Sequence, residues 1–251
     1  MNQRLNITGI VPARYASSRF PGKPLALIGN KPMIRLVYEQ ACKALDNVFV
    51  ATDDERISGA VKSFGGKVIM TSAQHRSGTD RCAEAAEKII LSGIETDVII
   101  NIQGDEPFIR PEQIEILSGC FTDKNVNIAT LIRKVNQGED ILNPNQPKVI
   151  IDKNGYALYF SRTAIPYIRD AEIKEWTFKH DYYKHIGLYA YRAETLSEIT
   201  KLPHGDLETA ECLEQNRWLE NGYRIKTAVT MWKNIGIDTP EDLEKANLIK
   251  Q

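Results

Sequence analysis

Short apolar runs alternate with longer amphipathic stretches along the first hundred residues. Asn6–Val11 (NITGIV) is β-rich and is closed by Pro12, the pattern of a buried strand. Ile34, Val37, Tyr38, Ala41 and Leu45 then recur at three- and four-residue steps, which predicts a helix with one apolar face. Asn47–Thr52 reads as a second strand, Glu55–Phe64 as a helix ended by Gly65-Gly66, and Lys67–Thr71 as a third strand. Thr79–Leu91 predicts a helix and Asp97–Gly104 (DVIINIQG) a strand apolar on both faces. Strands of this kind alternating with helices imply a parallel sheet covered on both sides.

The rhythm changes after residue 125. Val126–Val135, Pro147–Ser161 with a turn at Lys153-Asn154-Gly155, and Lys184–Arg192 all read as strands. They suit a mixed extension of the sheet or a subregion beside it, around 126–192. Helix is expected again over Leu207–Asn221, strand over Arg224–Val229, and a last helix from Pro240. Thr239 as N-cap, Pro240 at the first helical position and Asp242 at the third mark that start. No repeat or linker-like stretch interrupts 1–251, so a single domain is expected.

Composition narrows the function classes. Apolar residues make up 42% and charged ones 26%, with a formal net charge of −1. That balance gives no broad attraction to nucleic acid or acidic lipid. The apolar run near the amino terminus is too short for a signal peptide, and no later run has the length of a membrane span. Cys42, Cys82, Cys120 and Cys212 are widely spaced without a CxxC, which suits reduced thiols in a cytoplasm.

Charge is instead concentrated locally. VPARYASSRFPGKPL (Val11–Leu25) places Arg14, Arg19 and Lys23 in a loop just after the first strand. The loop is neither a Walker A sequence nor the glycine turn of a dinucleotide fold. Fixed cations there suit a triphosphate whose leaving pyrophosphate must be neutralised; a solvated basic loop ahead of a helix is the plainer alternative. Asp105, in QGDEP, follows the apolar strand, where a carboxylate can hold Mg²⁺ against phosphates or simply form a turn. Asp238, in NIGIDTPED, is a second acidic candidate or a residue shaping the helix entrance. In an open α/β sheet the loops after the strands line one crevice. Cationic loop and paired carboxylates together are the parts of a metal-assisted nucleotidyl transfer.

The chain resembles the 3-deoxy-manno-octulosonate (KDO) cytidylyltransferases. The resemblance rests on PARYASSRFPGKPL, KPMI, VATDDERI, SGTDR, QGDEP, YALYFSR, KHIGLYAYR, LEQ and IDTPEDLE, in family order from Ile10 to Glu244. It implies a three-layer α/β/α, Rossmann-like nucleotide-diphospho-sugar transferase fold with a mixed sheet, a cytoplasmic homodimer, and Mg²⁺ as cofactor. The implied reaction joins CTP and KDO to give CMP-KDO and pyrophosphate for the lipopolysaccharide inner core. A related acid sugar, sialic acid or 8-amino-KDO, is the alternative substrate. By resemblance, Arg14, Arg19 and Lys23 hold the phosphates, with Arg14 and Lys23 acting in the transition state. Pro12, Ala13, Ser77, Gly78, Thr79, Arg81 and Gln103 complete the nucleotide site, and Asp105 and Asp238 carry the metal. Ser77–Arg81 also reads as an N-cap cluster. Gln103, Arg162, His185, Tyr189, Glu214 and Gln215 are assigned to KDO. Arg162 offers a planar fork for a carboxylate, and a structural histidine is the plainer reading of His185. Glu214 is placed on one helical face with Leu207, Ala210 and Trp218, where Glu211 could instead pair with an arginine. Ala210 and Cys212 stand where the family carries bulkier residues.

Overall fold

The computed structural model describes residues 5–17 and 19–249. The chain divides into two compact units. The first comprises the chain up to Glu115, Ala190–Thr200 and the stretch from Asn234 onward; the second comprises Ile116–Tyr189 and Lys201–Lys233.

In the first unit, strand Ile7–Ala13 is central. It pairs in parallel with Val98–Asn101 on one side, Ile7 opposite Val98, and with Asn47–Thr52 on the other, Thr8 opposite Asn47. Asn47–Thr52 in turn pairs in parallel with Val68–Met70. Ile10, Val11, Val50, Ile99 and Ile100 are fully buried, which explains why these strands are apolar on both faces. Helices Met33–Ala41, Glu55–Ser63 and Gly78–Leu91 alternate with them as the sequence predicts. A small apolar cluster of Ile28, Met33, Ile237 and Ala246 packs with Phe20 and Leu243. It therefore anchors the opening loop and the start of the last helix, Pro240–Ile249, to one base.

In the second unit, Ile128–Lys134 pairs in parallel with Ile225–Val229. Lys148–Ile151 runs antiparallel to Ala157–Ser161 and to the start of strand Tyr183–Arg192. The turn between the first two has Asp152 N–H donating to the Tyr156 carbonyl at 2.8 Å and Gly155 at φ 73°, the left-handed region that glycine adopts at least cost. The mixed strand pattern expected around 126–192 is present. Helices Pro111–Gly119 and Ala193–Ile199 lie where the sequence reading placed no element.

The expected continuous helix over Leu207–Asn221 is corrected. It is two helices, Asp206–Glu211 and Glu214–Glu220, separated at Cys212, whose φ is 50°. Arg162 accounts for the break: its Nε donates to the Glu211 carbonyl at 2.6 Å and its Nη2 to the Cys212 carbonyl at 3.1 Å. A cation thus caps carbonyls that a continuing helix would have used. Glu214 consequently starts a new helix and does not share a face with Leu207 and Ala210.

Candidate active site

The opening loop leaves the central strand and is shaped by Gly22. This residue sits at φ 71°, and its N–H donates to the Tyr15 carbonyl at 2.9 Å. Lys23 follows at the head of a short 3-10 turn, Lys23–Leu25. Its ammonium reaches Asp105 Oδ2 at 2.6 Å and Asp238 Oδ1 at 3.2 Å, and Arg19 Nη2 lies 3.2 Å from the same Asp238 oxygen. Lys23 and the two carboxylates, far apart in sequence, therefore meet at one point.

Each carboxylate is placed by its loop. Asp105 lies in the turn after Val98–Asn101, which ends sooner than the expected strand. A Cβ at Gly104 would come 2.8 Å from the Pro12 carbonyl, so glycine lets this turn lie against the first strand. Asp238 precedes a capping box in which Asp242 N–H donates to Thr239 Oγ1 and Thr239 N–H donates back to Asp242 Oδ2. The Thr239 cap expected from the sequence is present.

One cavity of the first unit gathers most of the predicted nucleotide residues. Pro12, Ala13, Arg14, Arg19 and Lys23 line it from the first loop. Ser77, Gly78 and Arg81 line it from the third helix, and Gln103, Asp105 and Asp238 from the loops. Thr79 is not among its lining residues and is 4% exposed. Ser17, His75 and Arg76 also line it and were missed by sequence reasoning. His75 and Arg76 sit directly before SGTDR, so proximity to that motif was the available signal. His75 Nε2 contacts Glu84 Oε2. Burial raises the Glu84 pKa, but Lys88, the Ser72 N–H and His75 together outweigh it and hold the carboxyl at about 2. Among the described residues Arg14 and Arg76 form no ion pair, which leaves both free for an anionic ligand.

The SGTDR segment serves the fold as well. Ser77 and Asp80 form a capping box at the start of Gly78–Leu91. Arg81 donates to Thr71 Oγ1 at 2.6 Å and lies 3.1 Å from Asp53 Oδ1. Its side chain is only 5% exposed, so removing it strands a carboxylate. Arg81→Ala should cost about 3 kcal/mol of stability, read by urea denaturation, in addition to any effect on nucleotide binding. Unchanged stability would show the pair to be dispensable.

The predicted sugar residues other than Gln103 lie in the second unit. His185 Nε2 is 3.0 Å from Thr130 Oγ1, and its ring packs edge-on to Phe160 at 5.0 Å and against Tyr189 at 5.2 Å. Burial pushes its pKa down to about 3, so the ring is neutral. Tyr189 is raised well above its ordinary pKa by burial and by the charge of Glu214. Glu214 Oε1 accepts from Arg217 Nη2 at 2.8 Å. The buried Gln215 Nε2 finds no partner among the described residues, an unsatisfied donor that a ligand oxygen would serve. Arg162 also donates from Nη1 to the Pro144 carbonyl at 2.9 Å, so three of the five N–H groups of a guanidinium are committed to backbone. Glu211 is structural but not by the arginine ion pair weighed for it: its carboxylate accepts from Ser161 Oγ at 2.6 Å and from the Arg162 backbone N–H at 2.9 Å.

Residues 8–235 match the family model described as Cytidylyltransferase. A protein of Parabacteroides distasonis named 3-deoxy-manno-octulosonate cytidylyltransferase is 61% identical over 96% of this chain and 97% of its own length. The chain belongs to this cytidylyltransferase family. A Bacteroides thetaiotaomicron protein of the same name is 56% identical over 96% of the chain and 97% of its own length. Among solved structures, CMP:2-keto-3-deoxy-manno-octonic acid synthetase complexed with CTP superposes with a TM-score of 0.87 at 43% identity, covering 97% of this chain and 98% of that one. The mixed α/β fold expected from the sequence is thus the fold of the family.

Proposed function

We propose that the protein transfers CMP from CTP to the 2-hydroxyl of KDO, giving CMP-KDO and pyrophosphate. The observation that carries this reading is the meeting of Lys23, Asp105 and Asp238 in one cavity with the cations Arg14 and Arg19. The 2-hydroxyl oxygen bonds to the α-phosphorus, the bond from that phosphorus to the β-phosphate bridging oxygen breaks, and pyrophosphate leaves with the electron pair. Lys23, Arg14 and Arg19 neutralise the charge gathering on the departing phosphates. The hydroxyl proton passes to solvent or buffer, and no side chain is assigned as its base. The relatives named for KDO favour that acid over sialic acid or 8-amino-KDO.

Mg²⁺ is part of the proposal. Two carboxylates converge on the Lys23 ammonium, a positive group standing where oxygens of opposite charge collect. These carboxylates are hard oxygen donors of the kind Mg²⁺ takes, with its other positions left to phosphate oxygens and water. Asp105 and Asp238 would hold it, and when bound it supplies positive charge at the phosphates and lowers the pKa of a coordinated hydroxyl. We further propose a cytoplasmic homodimer serving lipopolysaccharide assembly. Free thiols at all four cysteines support the compartment. Leu158, Tyr167 and Phe178, exposed in the second unit, offer apolar surface for pairing.

Pyrophosphate release, assayed with each of the four nucleoside triphosphates with and without KDO, tests the reading. Release should require KDO and be fastest with CTP; equal release with UTP would remove the cytidylyl assignment.

A further inference from the structure

Glu106 follows Asp105, and Asn234 lies four residues before Asp238. Asn234 Nδ2 donates to Glu106 at 2.8 Å to Oε1 and 2.7 Å to Oε2. Behind it, Gln113 Nε2 donates to Asn234 Oδ1 at 3.2 Å, and Gln113 Oε1 accepts from the Arg110 N–H at 3.1 Å. A second tie runs alongside, with Ile237 N–H donating to the Asp105 carbonyl at 2.9 Å. The two loops are thus fastened twice, between 106 and 234 and between 105 and 237. Glu106 is 9% exposed and Gln113 is 2% exposed, so two of the three side chains in the tie are buried and Asn234 is half-buried.

Asp238 is also held through its backbone, its N–H donating to Asp242 Oδ2 at 3.2 Å beside the fully buried Ile237, whereas its side-chain ion pairs are loose. Its carboxylate is 46% exposed, and Arg19, one of its two cationic partners, is 65% exposed. Exposed pairs of this kind hold geometry poorly. Lys23, the other partner, is the cation that a bound divalent ion would rival. The separation of the two carboxylates is therefore set by the backbone behind them, and the Glu106–Asn234 bonds are the side-chain tie between those two loops.

We propose that Glu106 and Asn234 form a positioning clamp that holds Asp238 in register with Asp105 for binding of a divalent cation. The inference rests on the metal reading above. Neither residue touches the reacting atoms. The clamp acts through the amide-to-carboxyl hydrogen bonds, and an amide at position 106 keeps only one of the two acceptors. Asn234→Ala removes the clamp without changing charge.

The experiment titrates Mn²⁺ into the full chain without CTP or KDO and follows free Mn²⁺ by electron paramagnetic resonance. Asn234→Ala should weaken Mn²⁺ binding about tenfold or more, the usual cost of losing a group that orients metal ligands. Glu106→Gln, which keeps one acceptor of the two, should fall between the parent and Asn234→Ala. Loss in Glu106→Gln with none in Asn234→Ala would overturn the clamp in favour of a charge effect. Asp105→Asn and Asp238→Asn run beside them: if these leave Mn²⁺ binding unchanged, the metal reading itself fails. If they weaken binding and Asn234→Ala does not, only the clamp fails. Circular dichroism confirms folding; should Asn234→Ala unfold, Asn234→Leu fills the same space without a donor for Glu106. Unchanged Mn²⁺ affinity in that variant would overturn the clamp equally.

Discussion

Asp105→Asn and Asp238→Asn should each yield a folded protein whose turnover falls by about a hundredfold or more, with a raised Mg²⁺ requirement. Both side chains are partly exposed, at 32% and 46%, so an asparagine is accommodated without a buried void. What is lost is negative charge at the point where Lys23 now sits. A hard cation prefers charged oxygens, and an amide oxygen supplies only a dipole. Because the two loops serve one centre, the double variant should be little worse than the poorer single variant. Steady-state rates across a Mg²⁺ series decide this. Defects that multiply, with an unchanged Mg²⁺ requirement, would show that the two residues act separately.

The sequence made this pair legible because each carboxylate has a local context that repeats known physics. Asp105 follows a strand that is apolar on both faces, and Asp238 precedes a helix announced by Thr239, Pro240 and Asp242. Buried parallel strands betray themselves as short apolar runs, so the alternation through residue 104 could be read with boundaries shifted by only a few residues. The break at Cys212 could not. A cysteine at φ 50° carries no propensity signal, and its cause is Arg162, fifty residues away in the chain. Residue-level reasoning likewise missed the Glu106–Asn234 tie, which exists only once residues 106 and 234 are brought together. Helix Pro111–Gly119 was readable in principle, since Pro111 stands at its first position with Glu112 beside it. Its apolar positions are not gathered on one face, and periodicity therefore gave no signal.

Lys23→Met should move two measurements in opposite directions. Turnover should fall by about two orders of magnitude or more, because the ammonium that meets the departing phosphates is gone. Binding of Mg²⁺ or Mn²⁺ to the nucleotide-free protein should tighten. The Lys23 ammonium reaches both Asp105 and Asp238, and it is only 15% exposed. A divalent ion approaching those oxygens must displace it or share them with it, and like charges at that spacing repel. Methionine keeps the length of the side chain while removing the competitor. Arg14→Ala is the informative companion. Arg14 is exposed and forms no ion pair among the described residues, so its loss should reduce turnover and CTP affinity without changing metal binding to the free protein. Isothermal titration of Mn²⁺ beside steady-state rates separates the cases. If Lys23→Met binds the ion more weakly than the parent, the lysine does not compete for the carboxylates. If both variants turn over normally, the cationic loop has no part in the transfer.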